Sequence, residues 1–502
     1  MVGSRSAWWD SDRGRRTVAA VLVALVVAVW LVRGPAATLW WTSWGPDQPW
    51  DHRDLLGALW LWHAEGHGGT AAWLALQNHP DGAPGVRHHI PNPFDAWVFG
   101  PLVAQLGGSV RGWWGGVQLA HHLANVGATV VLARAAGARM LGSVAAGVLV
   151  AATPVMLHEV AGGRGLSGAV WPGLAALALL LRGNSVWAGV LVGIQGLFYL
   201  YTGALVGLVA LVLRPSWGLV GGAALVMGPY LAWLSPLLGG LHGRPPPADY
   251  SILPLAGLWG DLDVPARQRL SPWVWVGLLA GVATRRWRWV AVVGLALGVA
   301  LGPTPGARTD VAVVASPLAW LMLWVPGLGR MHHPVRAVLL AVPLMAVVGG
   351  RRWPRVAMVA AVGAVVGGAA MEEAAAWGEV RSRPGMAQAH WLADHADGAV
   401  VDLTGAGAEA LALHMVHGRP MLEGLRKPMG PTGAGRLRQR ADGWLDGKSQ
   451  AGLRADLLAA GFSHVLVVDR GQGLGDDVRA ALEADLGPPV YPGVYAVSSG
   501  VR

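Results

Sequence analysis

Apolar runs follow one another along most of the chain, separated by short junctions rich in arginine and glycine. The first, Thr17 to Val32, is followed by a polar and aromatic stretch from Gly34 to about Phe94. Further runs cover Trp113–Ala133, Met140–Leu157, Ser167–Leu181, Ser185–Tyr199, Tyr201–Leu213, Trp217–Leu237, Pro272–Ala283, Val290–Leu301, Val335–Gly350 and Val356–Met371. Most of them are apolar all round, the pattern of helices that meet no water on any face. So many such runs in one chain predict a bundle of about 11 membrane spans, several of them short for a hydrocarbon core of about 30 Å. The weaker runs Trp97–Leu106 and Ala315–Val325 break the alternation of loops and predict interfacial or re-entrant helices.

After Met371 the pattern changes. Glu372 and Glu373 open a polar region in which β-like and helical segments alternate: a strand at Ala399–Leu403, helices at Ala408–His417 and Ala451–Ala460, a strand at His464–Val468, a helix at Asp476–Leu486 and a last strand at Val490–Val497. This predicts a small soluble α/β domain over 372–502. The glycine run Gly471-Gln472-Gly473-Leu474-Gly475 has the setting of a phosphate loop, but Asp476 and Asp477 follow it. Those carboxylates would repel a phosphate, and they suit a helix cap instead.

Composition agrees with the pattern: 502 residues are 53% hydrophobic and 13% charged, with a mean hydropathy of +0.43. The formal charge of +9 comes from 38 basic residues, of which only Lys427 and Lys448 are lysines. The arginines sit in short junctions, as orientation signals do, which excludes a nucleic-acid-binding surface. There are no cysteines, so disulfides, thiolate metal sites and cysteine catalysis are ruled out. Arg13, Arg15 and Arg16 precede the first run, so residues 1–16 are expected in the cytoplasm and the 34–94 loop outside. A cleaved signal peptide would place that loop on the same side. Arg134 and Arg139, Arg182, Arg214, Arg285, Arg286 and Arg288, and Arg351, Arg352 and Arg355 fall at alternate junctions, which puts the C-terminal domain outside as well.

Candidate chemistry concentrates in the first loop. Asp47, Asp51 and Asp54 lie there with His52, His63, His67, His79, His88 and His89. Asp54 opens an amphipathic helical pattern through Trp60, Trp62 and His63. A carboxylate there can cap the helix, hold a divalent cation such as Mg or Mn, or deprotonate a hydroxyl. His63 and His67 have the i, i+4 spacing of zinc ligands, but Gly66, Gly68 and Gly69 end the helix around His67. His121 and His122, inside an apolar run, suit hydrogen bonding within the bundle.

The order of these pieces resembles the polytopic GT-C glycosyltransferases, and within them a bacterial branch. The resemblance rests on Asp54 with Trp60 and Trp62, on Asn78-His79-Pro80-Asp81-Gly82, and on Asn92-Pro93-Phe94 leading to Gly100-Pro101-Leu102. It continues through Leu197-Phe198-Tyr199-Leu200-Tyr201-Thr202-Gly203, Ala248-Asp249-Tyr250, Leu301-Gly302-Pro303, Val325-Pro326-Gly327-Leu328-Gly329-Arg330 to Pro334-Val335-Arg336, and Phe462 to Val468 in the tail. It implies transfer of a sugar from a polyprenyl-phosphate carrier to an envelope glycan, lipid or protein, on the outer face of a bacterial cytoplasmic membrane. Asp54 matches the acidic residue of the first outer loop, as base or metal ligand, with Asp47 beside it in sequence. The loop containing His158 and Glu159 stands where these enzymes often carry a second acidic pair. Arg330, His332, His333 and Arg336 are then candidates for the lipid phosphate, and His88, His89 and His158 for other parts of the substrate. A lipid or solute transporter and a catalytically inactive scaffold are the alternatives, although no internal repeat supports a transporter.

Overall fold

A computed structural model of the protein describes residues 12–32, 73–74, 83–84, 110–161, 168–238, 270, 272–300, 334–372, 385–403, 413–414, 417–422, 433–468 and 475–498. The chain divides into two compact units, residues 1–41 with 114–377 and residues 42–113 with 378–502. The described part is mainly helical.

In the first unit, α1 (Asp12–Val32), α2 (Val110–Ala135), α3 (Met140–Ala151), α4 (Pro154–Ala161), α5 (Trp171–Leu181), α6 (Ser185–Phe198) and α7 (Leu200–Leu213) are followed by α8 (Trp217–Leu238), α9 (Trp275–Ala283), α10 (Trp287–Ala300), α11 (Val338–Arg352) and α12 (Pro354–Glu372). Short 3-10 turns at Pro272–Val274 and Pro334–Ala337 lead into α9 and α11. The apolar runs predicted these helices well, with one correction. The run Met140–Leu157 is two helices, because Pro154 cannot donate to the preceding turn and restarts the chain as the first residue of α4. Trp97–Leu106, Ala315–Val325 and the Asp54 helix lie outside the described residues.

The hub is α3, which packs against α1, α11 and α12. Its buried positions include Gly142, Ser143, Ala145, Ala146 and Gly147. With so little side chain, backbones meet: a Cβ on Gly142 would overlap the Gly350 carbonyl of α11, and one on Gly350 would overlap the Gly142 carbonyl. Large apolar side chains point outward instead. Leu22, Val23 and Val26 of α1, Trp187 of α6, Trp217 and Leu225 of α8, Leu279 of α9, and Val359, Val362 and Val366 of α12 are all exposed. Among the described residues no helix is long and apolar enough to cross a membrane. With 11 residues in α5 and 14 in α7, these two helices are about 17 and 21 Å long at 1.5 Å per residue.

The arginine junctions gather at one end of this unit. Arg134 of α2 donates to the Ala138 carbonyl at 2.6 Å. Arg214, at the end of α7, reaches the Leu180 carbonyl of α5 at 3.2 Å, and Arg288 of α10 reaches the Leu213 carbonyl at 3.5 Å. Arg351 of α11 lies beside Gly137 in the α2–α3 turn. Gly137 and Gly183 close their helices in the left-handed conformation, but Arg285 does this after α9, with φ +52°, where an L side chain costs about 1–2 kcal/mol.

The second unit contains the antiparallel pair β1 (Trp73–Leu74) and β2 (Ala83–Pro84), then α13 (Met386–His395), β3 (Ala399–Asp402), α14 (Gly433–Leu445), α15 (Leu453–Ala459), β4 (Phe462–Leu466), α16 (Asp476–Leu486) and β5 (Val494–Ala496). β3 and β4 are parallel, β5 is antiparallel to β4, and Met421 bridges the free side of β3. Every residue of the three strands is buried, because helices cover both faces. Val401, Val465 and Tyr495 meet the cluster of α14, α15 and α16, while Val400, Leu466 and Val494 meet α13.

The sequence pattern missed α13 and α14. In α14 the apolar stripe is reduced to Ala434, Ala441 and Trp444, with Arg438 buried among them. The last strand is shorter than Val490–Val497, since residues 490–493 form a turn. Most of Ala408–His417 lies outside the described residues. Gly475, not Asp476 or Asp477, is the N-cap of α16, and the aspartates occupy its first turn, where they complement the helix dipole.

Two polar features tie this unit to pH. Asp485 accepts from Trp444 Nε1 at 2.7 Å, Ser449 Oγ at 2.5 Å and the Gln450 amide at 2.6 Å. Burial pushes its carboxyl up, but these bonds outweigh burial and hold it below the usual range. His414 and His417 are buried with ring centroids 5.4 Å apart. Burial, reinforced by the neighbouring His417, keeps His414 well below its usual range, and burial and Arg419 lower His417 to about 4.

Two outcomes are expected. Gly350→Val places a branched side chain against the α3 backbone and should give no monodisperse protein on size-exclusion chromatography. Gly298→Ala, which has open space around it, should elute like the wild type. In the second unit, the unfolded histidines bind protons that the folded ones refuse, so stability is complete above about pH 6.5 and is lost as pH falls below it. Hydrogen exchange should show β3 and β4 losing protection between about pH 6.5 and 5, and His414→Gln should move that loss to lower pH.

Candidate functional site

At the other end of the first unit, three elements bring polar side chains together. α4 is two turns long and starts with Pro154; its Glu159 is buried, with a side chain 6% exposed. The sequence places Glu159 in a loop, but the structure places it on this helix. The 3-10 turn Pro334–Ala337 carries Arg336 just ahead of α11, with Nε 3.7 Å from Glu159 Oε2 and a side chain 14% exposed. Tyr199 occupies the break between α6 and α7, with extended backbone (φ −158°, ψ 109°). Its hydroxyl accepts from Arg336 Nη1 at 3.4 Å, and the guanidinium carbon lies 5.4 Å from its ring centroid. Tyr201 meets that ring edge-on at 5.5 Å.

Two carboxamides fix the backbone beside this group. Asn125 of α2 donates to the Gly168 carbonyl at 3.0 Å and accepts from the Val170 amide at 2.9 Å. Gln195 of α6 donates to the Ala169 carbonyl at 2.8 Å and accepts from the Gly173 amide at 3.0 Å. Each amide thus serves non-helical or helix-end backbone groups that would otherwise be buried without partners. Gly168 faces Glu159, and a Cβ at Gly168 would come within 3.0 Å of the Glu159 Cβ, so the absence of a side chain there leaves room for the carboxylate stem. His121 accepts from Trp171 Nε1 at 3.1 Å, and Phe198 packs edge-on against both rings. That is the intra-bundle role its position predicts. His122 is buried but has no hydrogen bond from either ring nitrogen among the described residues, so the expectation does not extend to it.

Of the residues singled out in the sequence, the structure therefore joins Glu159 and Arg336. Asp47, Asp54, His88, His89, Arg330, His332 and His333 lie outside the described residues, as does the side chain of His158. Tyr199, Asn125 and Gln195 were not given roles from sequence, although an amide in an apolar helix is itself a signal of a buried contact. Chemically, the arrangement presents one cation neutralised by one carboxylate and steadied by a phenol. A guanidinium has five N–H donors, so those contacts leave others for an anionic oxygen. Among the described residues no group of three or more His, Asp or Glu side chains is placed to hold a metal.

No family model matches the chain, and no curated protein matches it. Solved structures do. The arabinofuranosyltransferase AftD from Mycobacteria aligns over 97% of this chain and 40% of its own, with 18% identity and a TM-score of 0.55. A mutant of the same enzyme gives a TM-score of 0.57 over 97% of this chain and 42% of its own, at 18% identity. The oligosaccharyltransferase of Archaeoglobus fulgidus aligns over 89% of this chain and 67% of its own, with 12% identity and a TM-score of 0.53. The chain spans less than half the length of the mycobacterial enzyme. At these identities the likeness shows the fold alone, which this chain shares with the mycobacterial and archaeal enzymes.

The Glu159–Arg336 pair makes a clear stability prediction. Glu159→Leu leaves a buried guanidinium uncompensated and should cost roughly 3–5 kcal/mol. Adding Arg336→Leu should recover most of that loss, as measured by thermal unfolding of the detergent-solubilised chain.

Proposed function

We propose that the chain is an integral-membrane glycosyltransferase that moves a sugar from a polyprenyl-phosphate carrier to a glycan, lipid or protein acceptor of the bacterial cell envelope, on the outer face of the cytoplasmic membrane. The observation that carries this reading is the Glu159–Arg336 pair at the mouth of a GT-C-type bundle, at the end away from the arginine junctions. The structurally similar proteins transfer arabinofuranose or oligosaccharide by their names, and the reaction class comes to this chain by analogy of fold. Membrane embedding is supported by the apolar exterior and by glycine-mediated backbone contacts, which suit a solvent that gives helices no hydrophobic reason to associate. Helices this short call for local bilayer thinning or ends buried among neighbours.

In this reading Asp54 is the base. Its carboxylate takes the proton of the acceptor hydroxyl while that oxygen bonds to the anomeric carbon and the bond from that carbon to the carrier phosphate breaks, with inversion. The phosphate leaves with the electron pair and is neutralised by Arg336, aided by Arg330, His332 and His333. Glu159 and Tyr199 hold the Arg336 fork in one orientation, so little reorganisation is needed when the charge appears. Asp47 supports Asp54, and His88, His89 and His158 contact the sugar or acceptor. Asp54 has one alternative role, as ligand of a divalent cation, Mg or Mn, which would then supply positive charge in the site.

The test is release of polyprenyl phosphate by the purified chain from a panel of polyprenyl-phosphate sugars with acceptors present. Asp54→Asn should lower transfer by at least about 100-fold without changing thermal stability. Arg336→Lys keeps the charge and loses the fork, and should raise KM for the donor. Undiminished transfer by Asp54→Asn would remove that residue from the mechanism, and absence of release by folded wild type from every donor would favour the inactive scaffold or a transporter.

A further inference from the structure

The arginine end of the first unit holds a second basic feature, independent of the transfer chemistry. Arg286, at the start of α10, and Arg351 and Arg352, in the last turn of α11, line one recess with Ala136, Trp289, Val347 and Val348. The recess itself is small, with an enclosed volume of about 10 Å³ and an open mouth, so a ligand would sit across the mouth rather than inside. Its arginines differ from their neighbours. Arg134, Arg214 and Arg288 direct guanidinium donors to the carbonyls of Ala138, Leu180 and Leu213, so backbone carbonyls of one turn and two helix ends account for these bonds. Arg352 is different: its Nε and Nη2 are buried and have no hydrogen-bond partner among the described residues. Among the described residues, no carboxylate forms an ion pair with Arg286, Arg351 or Arg352.

Helix ends do not satisfy the group either. Arg351 and Arg352 sit favourably at the C-terminus of α11, but Arg286 sits at the N-terminus of α10, where the dipole opposes a cation and favours an anion. The three guanidiniums are near enough to repel: burial, with Arg352 and Arg286, lowers the Arg351 pKa, and burial with Arg286 lowers that of Arg352. A bound anion would relieve the repulsion, fill the vacant donors and suit the α10 terminus together.

We propose that Arg286, Arg351 and Arg352 form a phosphate-binding recess that takes the phosphate of an anionic lipid headgroup or a soluble phosphate, at the end of the bundle away from Arg336. Planar forks match phosphate oxygens in pairs, and Trp289, which lines the same recess, adds an amphipathic ring suited to headgroup level.

The experiment uses the full purified chain in zwitterionic detergent, with phosphatidylglycerol, phosphatidylcholine and inorganic phosphate as probes. Thermal unfolding and native mass spectrometry are read together. Phosphatidylglycerol should raise the melting temperature saturably and remain bound, while phosphatidylcholine should do neither. A matching rise with inorganic phosphate identifies the soluble source, and a rise with the lipid alone identifies the headgroup. The double variant Arg351→Gln with Arg352→Gln should weaken the anion response at least tenfold. Ala136→Glu guards against simple misfolding, because an internal carboxylate in the recess should raise the melting temperature without added anion and remove the response. Equal anion responses in wild type and in Ala136→Glu, or no saturable response of the wild type to either anion, would overturn the proposal.

Discussion

The backbone contact of Gly142 with Gly350 governs the first unit. It seats α11 on the hub helix α3, and α11 carries Arg336 just before its first turn and Arg351 and Arg352 in its last. A helix of 15 residues is about 22 Å long, so one rod fixes two basic groups at opposite ends. α9 is seated on the same rod, where Gly277 meets the Met345 carbonyl. Side chains at these contacts would push the rod outward and displace both groups together.

The distribution of residue sizes follows from that contact. Small residues fill the hub, while valines, leucines and tryptophans stand on the outside. In water such an exterior would be an association surface; beside lipid it is the ordinary solvent-facing side. Close packing then rests on van der Waals contact and on a few buried polar bonds, and Asn125 and Gln195 supply such bonds where the helical ladder is interrupted.

The two ends of the unit treat charge differently. At one, Arg336 is neutralised by Glu159 and steadied by Tyr199, leaving a polar group of fixed geometry and little net charge. At the other, positive charge accumulates, partly absorbed by helix-end carbonyls and partly unmatched. The asymmetry arises because each helical hairpin returns its arginines to the same end. In the second unit, Asp485 bridges the α14 end and the following turn to α16.

The sequence alone determined where helices run in the first unit, because a lipid-facing or bundle-buried helix must be apolar along its whole length and its ends must carry the polar residues. It also determined the α/β character of the tail, and it singled out Glu159 and Arg336 by residue type and order. It could not find α13 or α14, whose buried faces are too small to leave a periodic signal, and it could not foresee that Pro154 would put Glu159 on a helix. The partnership of Glu159, Tyr199 and Arg336 spans 137 residues between the last two, and no local pattern encodes a contact at that distance. The same holds for the convergence of Arg286 with Arg351 and Arg352. Only the tertiary structure decided these, because close approach of α3, α9, α10 and α11 depends on which small residues face one another, and that is set by packing and not by hydropathy.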